Sequence, residues 1–136
     1  GESVTDAGHR LADLACQDGG VDLLLVHTPD VGDEALMRGC VPAQVSGHWH
    51  RRVGPLRYGE GVRFVSSSTA GAILNEPTVG PLRGTAELTV LRFDPDTHAI
   101  RDYRIVQVRV DGTVSVEAAL RWPTPTTTFP RPGDPV

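Results

Sequence analysis

The first third of the chain combines an amphipathic helical pattern with two short apolar runs. Apolar residues three and four apart over positions 4–15, with a serine N-cap before them and glycines after them, predict a helix. Residues 21–26 and 41–45 are apolar without alternation, which predicts strands buried on both faces, as in a parallel sheet. Between them, residues 33–37 predict a short helix closed by a glycine. This order of helix and strand is typical of an α/β arrangement.

The second half changes to strands joined by turn sequences. Residues 62–66 predict a strand that leads into a Ser-, Gly- and Pro-rich loop over residues 67–84. Residues 87–93 and 100–110 predict two strands joined by an Asp-Pro-Asp-Thr turn. An Asp-Gly pair within residues 110–116 predicts a tight hairpin, and the valines around it alternate with polar residues, so these strands bury one face. The predicted fold class is α/β of the mixed (α+β) kind, with antiparallel hairpins in the second half.

The length of 136 residues allows one domain or part of a larger one. Residues 1–121 carry the predicted elements, whereas residues 122–136 are rich in Pro and Thr and predict an extended tail. The longest aliphatic run is four residues, against about 20 for a membrane span, so no membrane segment is expected. The chain has no initiator Met and no signal-like start, so we expect it to be part of a longer protein.

Charge and cysteine content exclude some classes of function. Thirteen basic residues, all of them Arg, stand against 17 acidic ones, so the formal net charge is −4 and no nucleic-acid partner is expected. Cys16 and Cys40 form no Cys-x-x-Cys pair and have no third cysteine beside them, which argues against a cysteine zinc cluster. We expect two buried thiols, and a single disulfide between them remains the open alternative.

Three histidines stand where predicted strands end. His27 follows the strand at residues 21–26, and His48 and His50 follow the strand at residues 41–45. The carboxyl ends of parallel strands form one edge of a sheet, where ligands bind. Two side chains at i and i+2 in extended backbone point to the same side, and Gly47 leaves space beside them. Because imidazole is a common metal ligand, the pattern predicts a metal site at this edge.

The ordered pattern of a strand ending in His27-Thr28-Pro29, followed by Gly47-His48-Trp49-His50, resembles the calcineurin-like metallophosphoesterase family. The resemblance implies a sandwich of two mixed sheets flanked by helices, of which residues 1–121 are the C-terminal half. It also implies a centre of two divalent metal ions (Mn, Fe or Zn) that activates a water for attack on a phosphoester substrate. In that centre His27 and His48 would bind one ion and His50 the other.

Two arginines directly follow the histidine motif. Arg51 and Arg52 come immediately after His50, and their planar guanidinium groups suit the oxygens of a phosphoester. We expect them to bind substrate, with a solvated strand end as the equally weighted alternative.

Other parts of the family pattern do not occur in this chain. The Asp-x-His, Gly-Asp-x-x-Asp and Gly-Asn-His motifs of the resembling family do not precede His27, and Asp96-Thr97-His98 lies in a predicted turn. The site is therefore expected to be half a site, inactive alone. Its expected partner is the N-terminal half of the same domain, or a second chain that carries it. Exposed strand edges also suggest a homo-oligomer.

Two other functions remain open from the sequence. One is a non-catalytic β-rich interaction module that keeps a vestigial or single structural zinc site. The other is a mononuclear zinc site completed by Asp30 or Asp33. Of the remaining candidates, we expect His9 on the first helix to be exposed and the hydroxyl-rich residues 66–69 to lie near the metal site.

Overall fold

A computed structural model describes residues 1–71 and 83–127 of the chain. The described residues contain helices α1 and α2 and strands β1 to β8, and this mixed content confirms the predicted fold class. In chain order the elements are α1 (Val4–Cys16), β1 (Leu24–Leu25), α2 (Asp33–Met37), β2 (Ala43–Ser46), β3 (Val53–Tyr58), β4 (Gly61–Val65), β5 (Ala86–Phe93), β6 (Ile100–Val108), β7 (Val114–Val116) and β8 (Leu120–Arg121). Short 3-10 turns lie at Gln17–Gly19 and Pro29–Gly32.

The first sheet is mixed and has the strand order β1-β2-β4-β3. Strands β1, β2 and β4 run parallel, so their carboxyl ends share one edge, whereas β3 runs antiparallel to β4. The helices cover one face of this sheet, where Ala12 of α1 and Leu36 of α2 pack with Leu24 and Val41. Ser3 caps α1, because its side chain accepts a hydrogen bond from the backbone N–H of Asp6.

The second sheet is antiparallel and packs on the other face of the first. Its order is β5-β6-β7, and β8 also pairs with β6. Phe64 of β4 meets Tyr103 of β6 and Trp122, which follows β8, and the aromatic rings lie 5.8–6.2 Å apart between centroids. The molecule is therefore layered as helices, mixed sheet and antiparallel sheet, with an apolar core on each side of the first sheet.

Strand β1 departs from its prediction. The predicted strand over residues 21–26, buried on both faces, is observed as two residues at the edge of the sheet. Leu24 packs under the helices, whereas Leu25 points to the other face and is 76% exposed. The prediction was wrong because β1 has a described neighbour on one side only, and the second sheet does not cover Leu25.

Strand β3 carries no clear sequence signal. Gly54 and Pro55 interrupt any alternation within it, and the pairing with β4 shifts register between Val53 and Leu56. Gly54 has a φ of +89°, and a Cβ there would lie 2.7 Å from the carbonyl oxygen of Arg63. Only glycine fits this irregularity. A strand with such an irregularity has no regular hydrophobic period, so the sequence pattern predicts no strand here.

The two cysteines form a disulfide. Cys16, the last residue of α1, is bonded to Cys40 in the segment before β2, with the Cα atoms 5.0 Å apart. The expectation of two thiols was therefore wrong, and the single disulfide is the alternative that holds. Residues 24 positions apart meet because α1 packs against α2, whose end leads directly into Cys40.

The start of the predicted tail is packed against the domain. Trp122, the first residue assigned to the tail, is 4% exposed and belongs to the core between the sheets. The backbone N–H groups of Thr126 and Thr127 both donate to the carbonyl oxygen of Glu60, at 2.9 and 2.8 Å. Residues 128–136 of the predicted tail, and most of the predicted loop over residues 67–84, lie outside the described residues.

Candidate functional site

A cavity of about 480 Å³ opens at the carboxyl ends of β1, β2 and β4. His27, His48 and His50 line it, together with the hydroxyl-bearing residues 66–69 that follow β4. Because the three strands are parallel, the residues that follow them are delivered to the same edge. The predicted gathering of three histidines around one cavity is therefore observed, and residues 66–69 lie beside them as expected.

His27 and His48 are in direct contact. The Nε2 atom of His27 lies 3.2 Å from the Nδ1 atom of His48, and the rings meet edge to face at 79°. Two backbone hydrogen bonds join the segment after β1 to the end of β2. The N–H of Val26 donates to the carbonyl of Val45, and the N–H of Gly47 donates to the carbonyl of His27. A Cβ atom at Gly47 would lie 3.8 Å from the His27 ring, which is an ordinary van der Waals contact.

The backbone conformation at His48 and His50 differs from the predicted extended one. Both have a positive φ, 71° and 56°, so the segment is a pair of left-handed turns and not an extended strand. The i, i+2 reasoning for the direction of these side chains was therefore wrong, although both line the cavity. The Nδ1 atom of His50 is buried and has no hydrogen-bond partner among the described residues.

The fit of these residues to a metal ion is partial. Two nitrogens bound to one zinc ion at about 2.0–2.1 Å and a near-tetrahedral angle lie about 3.3 Å apart. The 3.2 Å between the Nε2 atom of His27 and the Nδ1 atom of His48 matches that separation, and His50 lines the same cavity. Within residues 1–71 and 83–127, however, no group of three or more His, Cys, Asp and Glu side chains is placed to hold a metal ion. The described residues thus fit part of a metal site, without its carboxylates.

The two aspartates considered as completing ligands lie elsewhere. Asp30 and Asp33 line a separate pocket beside the start of α1. The Asp33 carboxylate accepts a hydrogen bond from the Arg63 guanidinium, which occupies it. Neither aspartate lines the histidine cavity, so the structure does not bring together the set required for a mononuclear site.

The two arginines expected to bind substrate do not line the cavity. Arg51 and Arg52 are exposed, and Arg52 faces the second sheet, where its Nη1 atom lies 3.7 Å from a carboxylate oxygen of Glu87. The cavity wall as described carries hydroxyl and imidazole groups and no arginine. Any contact of Arg51 or Arg52 with a phosphoester remains a prediction.

A buried polar network lies beneath the segment that carries His27. Gln44 is fully buried, and its Nε2 atom donates to the carbonyl of Pro29 at 2.9 Å and to the hydroxyl of Ser46 at 2.8 Å. Arg63 donates to the same carbonyl at 3.0 Å and to the Gln44 side-chain oxygen at 3.2 Å. This network anchors the turn after His27 to β2 and β4. The sequence signal that could have revealed it is a glutamine and an arginine inside apolar strands.

The remaining histidines lie away from the cavity. His98 pairs with Asp22, with 3.0 Å between Nδ1 and the carboxylate oxygen, and both side chains are partly exposed. His9 is exposed as expected and lies 3.0 Å from Glu34. The Arg38 guanidinium beside that pair lowers the pKa of Glu34 and of Asp13. These contacts join α1 to α2, and His9 takes part in them.

No protein-family model matches the chain, and no curated protein matches it. The resemblance to metallophosphoesterases thus depends on the histidine motifs alone. Among the described residues, no helix is both long and apolar enough to cross a membrane.

Proposed function

We propose that this chain supplies the histidine side of a two-metal phosphoesterase centre. The observation that supports this best is the pairing of His27 with His48 at the ends of two adjacent parallel strands. His50 lines the same cavity, and its buried Nδ1 atom has no hydrogen-bond partner among the described residues. The hydroxyl-bearing residues 66–69 line the same cavity, and hydroxyl groups suit the oxygens of a phosphoester.

In the proposed centre, His27 and His48 hold one divalent ion and His50 holds the other. Such ions (Mn, Fe or Zn) supply a water of lowered pKa and polarise the phosphoryl group. Hydroxyls at positions 67–69 orient the substrate by donating to its non-bridging oxygens, whereas the Ser66 hydroxyl already donates to the carbonyl of Ser67.

The proposed centre needs carboxylates from elsewhere. Three neutral imidazoles do not offset the repulsion between two divalent cations, and the described residues place no carboxylate in the cavity. The N-terminal half of the same domain, or a second chain, is therefore the proposed partner, and the chain alone should not hydrolyse phosphoesters.

The function is tested in the intact parent protein by replacing His50 with Ala. We expect turnover of a chromogenic phosphoester to fall by about 100-fold or more, because losing a ligand removes both the Lewis acid and the nucleophile. His98→Ala is the matched control, since His98 lies in an exposed turn and pairs with Asp22, and it should change turnover little. Equal losses from the two substitutions would contradict the assignment.

The alternative is a non-catalytic interaction module with a single structural zinc ion. Two observations favour this module. Only His27 and His48 are in direct contact, and the described residues contain no complete group of metal ligands. The metal content of the purified parent separates the two functions. Two ions per chain support the hydrolase, whereas one ion whose removal lowers the melting temperature without any phosphoesterase activity supports the module.

A further inference from the structure

A second concave surface lies on the antiparallel sheet, away from the residues of the histidine cavity. This groove has a volume of about 590 Å³ and lies beside β6 and β8. Three arginines line it, namely Arg92, Arg101 and Arg121, together with Asp102 and Thr124. We call it the arginine groove.

Carboxylates hold two of these arginines in place. Arg92 donates from Nε and Nη2 to Asp102, with Nε distances of 3.1 and 3.0 Å, and Arg101 donates from Nε to Asp94 at 2.8 Å. The aspartate side chains are only 17% and 15% exposed, whereas the arginine side chains are 62% and 52% exposed. Each guanidinium therefore rests on its carboxylate along one edge and keeps its Nη1 hydrogens for another acceptor.

The third arginine has no such partner. Arg121 lies opposite Asp102 in the register of β8 with β6, but Asp102 is already engaged by Arg92. Within the described part of the chain, the Arg121 side chain makes no hydrogen bond or ion pair. The three guanidinium groups are paired with only two carboxylates, those of Asp94 and Asp102. One positive charge at the groove, that of Arg121, is therefore not neutralised by an ion pair among the described residues.

We propose that the arginine groove binds a phosphate dianion, either free or as the terminal group of a phosphomonoester. Guanidinium groups recognise phosphate through paired N–H donors, and two of the three are already held in one orientation, which lowers the entropy lost on binding. The Thr124 hydroxyl is a further donor on the groove. Because the guanidinium groups are solvent-exposed, the affinity is modest, with a Kd on the order of 1 mM.

The test follows the Arg Nε–H resonances of the metal-free chain by nitrogen-15 NMR during titration with inorganic phosphate at constant ionic strength. We expect saturable shifts of Arg92, Arg101 and Arg121. A parallel titration with methyl phosphate distinguishes the two sources, since a groove that takes an esterified phosphate gives the same saturable shifts, whereas one that takes only free phosphate does not.

Arg121→Ala should weaken phosphate binding by about 5–10-fold, because it removes one charge-assisted partner. Arg57→Ala is the matched control, since Arg57 is an exposed strand arginine outside the groove and its loss changes net charge equally. Arg121→Lys keeps the positive charge but lacks the planar guanidinium group, so we expect an affinity between those of the native chain and the alanine variant. This variant also tests the proposal if Arg121→Ala is unstable. Shifts that do not saturate, that chloride reproduces, or that Arg121→Ala leaves unchanged would overturn the proposal.

Discussion

Asp94 shows how one side chain organises a turn and sets a dependence on pH. One of its oxygens accepts hydrogen bonds from the backbone N–H groups of Asp96 and Thr97, at 2.8 and 2.9 Å, and the other accepts from Arg101. These contacts lower the pKa of Asp94 from 3.8 to about 2, with the backbone N–H of Thr97 as the largest cause. The carboxylate is therefore more acidic in the folded chain than in the unfolded one, and its stabilising effect is lost on acidification.

We predict that Asp94→Asn reduces the loss of stability on acidification. In the native chain, the contribution of Asp94 is fully present above about pH 4 and disappears as the pH falls towards about 2. Asparagine keeps an oxygen for the turn but cannot ionise. Urea unfolding measured from neutral to acidic pH should show a flatter profile for the variant. Asp96→Asn, in the same exposed turn, should keep the native profile, and identical profiles for native chain and Asp94→Asn would contradict the prediction.

Gln44 is fully buried and hydrogen-bonded, so its replacement should lower the stability of the fold. Gln44→Leu removes the donor to the Pro29 carbonyl and the acceptor for Arg63. We expect the free energy of unfolding to fall by about 1–3 kcal/mol, because buried polar partners are left unpaired. Denaturant titration measures this, with Gln17→Leu, at the exposed end of α1, as a control with little effect. A neutral Gln44→Leu would show that the network does not stabilise the fold.

At the scale of elements, the disulfide is the constraint that holds α1 to the sheet. It closes a loop between residues 24 positions apart, so its loss should lower the free energy of unfolding by about 3 to 4 kcal/mol in the chain-entropy description. Thermal unfolding with and without dithiothreitol measures the effect. A variant with Cys16→Ser and Cys40→Ser should already have the lower stability and should not respond to the reductant. A native chain insensitive to full reduction would refute the prediction.

The elements also show which patterns are reliable. β5 and β6 form close to their predicted bounds because each has an alternating run long enough to specify a strand, and the Asp-Gly turn between β6 and β7 is confirmed. β3 was not predicted, because its pairing with β4 depends on a glycine irregularity that has no hydrophobic period. β1 was predicted too long, because an apolar run does not reveal how many neighbours it will have.

At the scale of the whole molecule, the outer face of the second sheet is apolar and exposed at one end, whereas its other end carries Arg92 and Asp102. Register pairs Leu88 with Val106 and Val106 with Val116, and Val108 pairs with Val114 beside them. Leu88, Val114 and Val116 are 45%, 59% and 61% exposed. A contiguous apolar face of this kind favours association, whereas single exposed apolar residues do not.

We therefore predict that the isolated chain self-associates through this face. Light scattering should show a mass that rises with concentration, and Val116→Lys should shift the chain towards monomer by placing a charge in the apolar face. Val4→Lys is the matched control, because Val4 is 50% exposed on α1 and lies outside the face, so its mass profile should be native. A strictly monomeric native chain would contradict the prediction.

The sequence by itself determined the local choices: the helix α1, the hairpins from β5 to β7, the fold class and the strand ends at which His27 and His48 lie. These follow from short-range periodicity and turn chemistry, which act within a few residues. Tertiary packing decided the rest. It brought Cys16 to Cys40, it buried Gln44 with Arg63, it left Leu25 exposed, and it placed His50 at the cavity through left-handed turns. These outcomes depend on which surfaces meet across long separations in the chain, and no local pattern encodes that meeting.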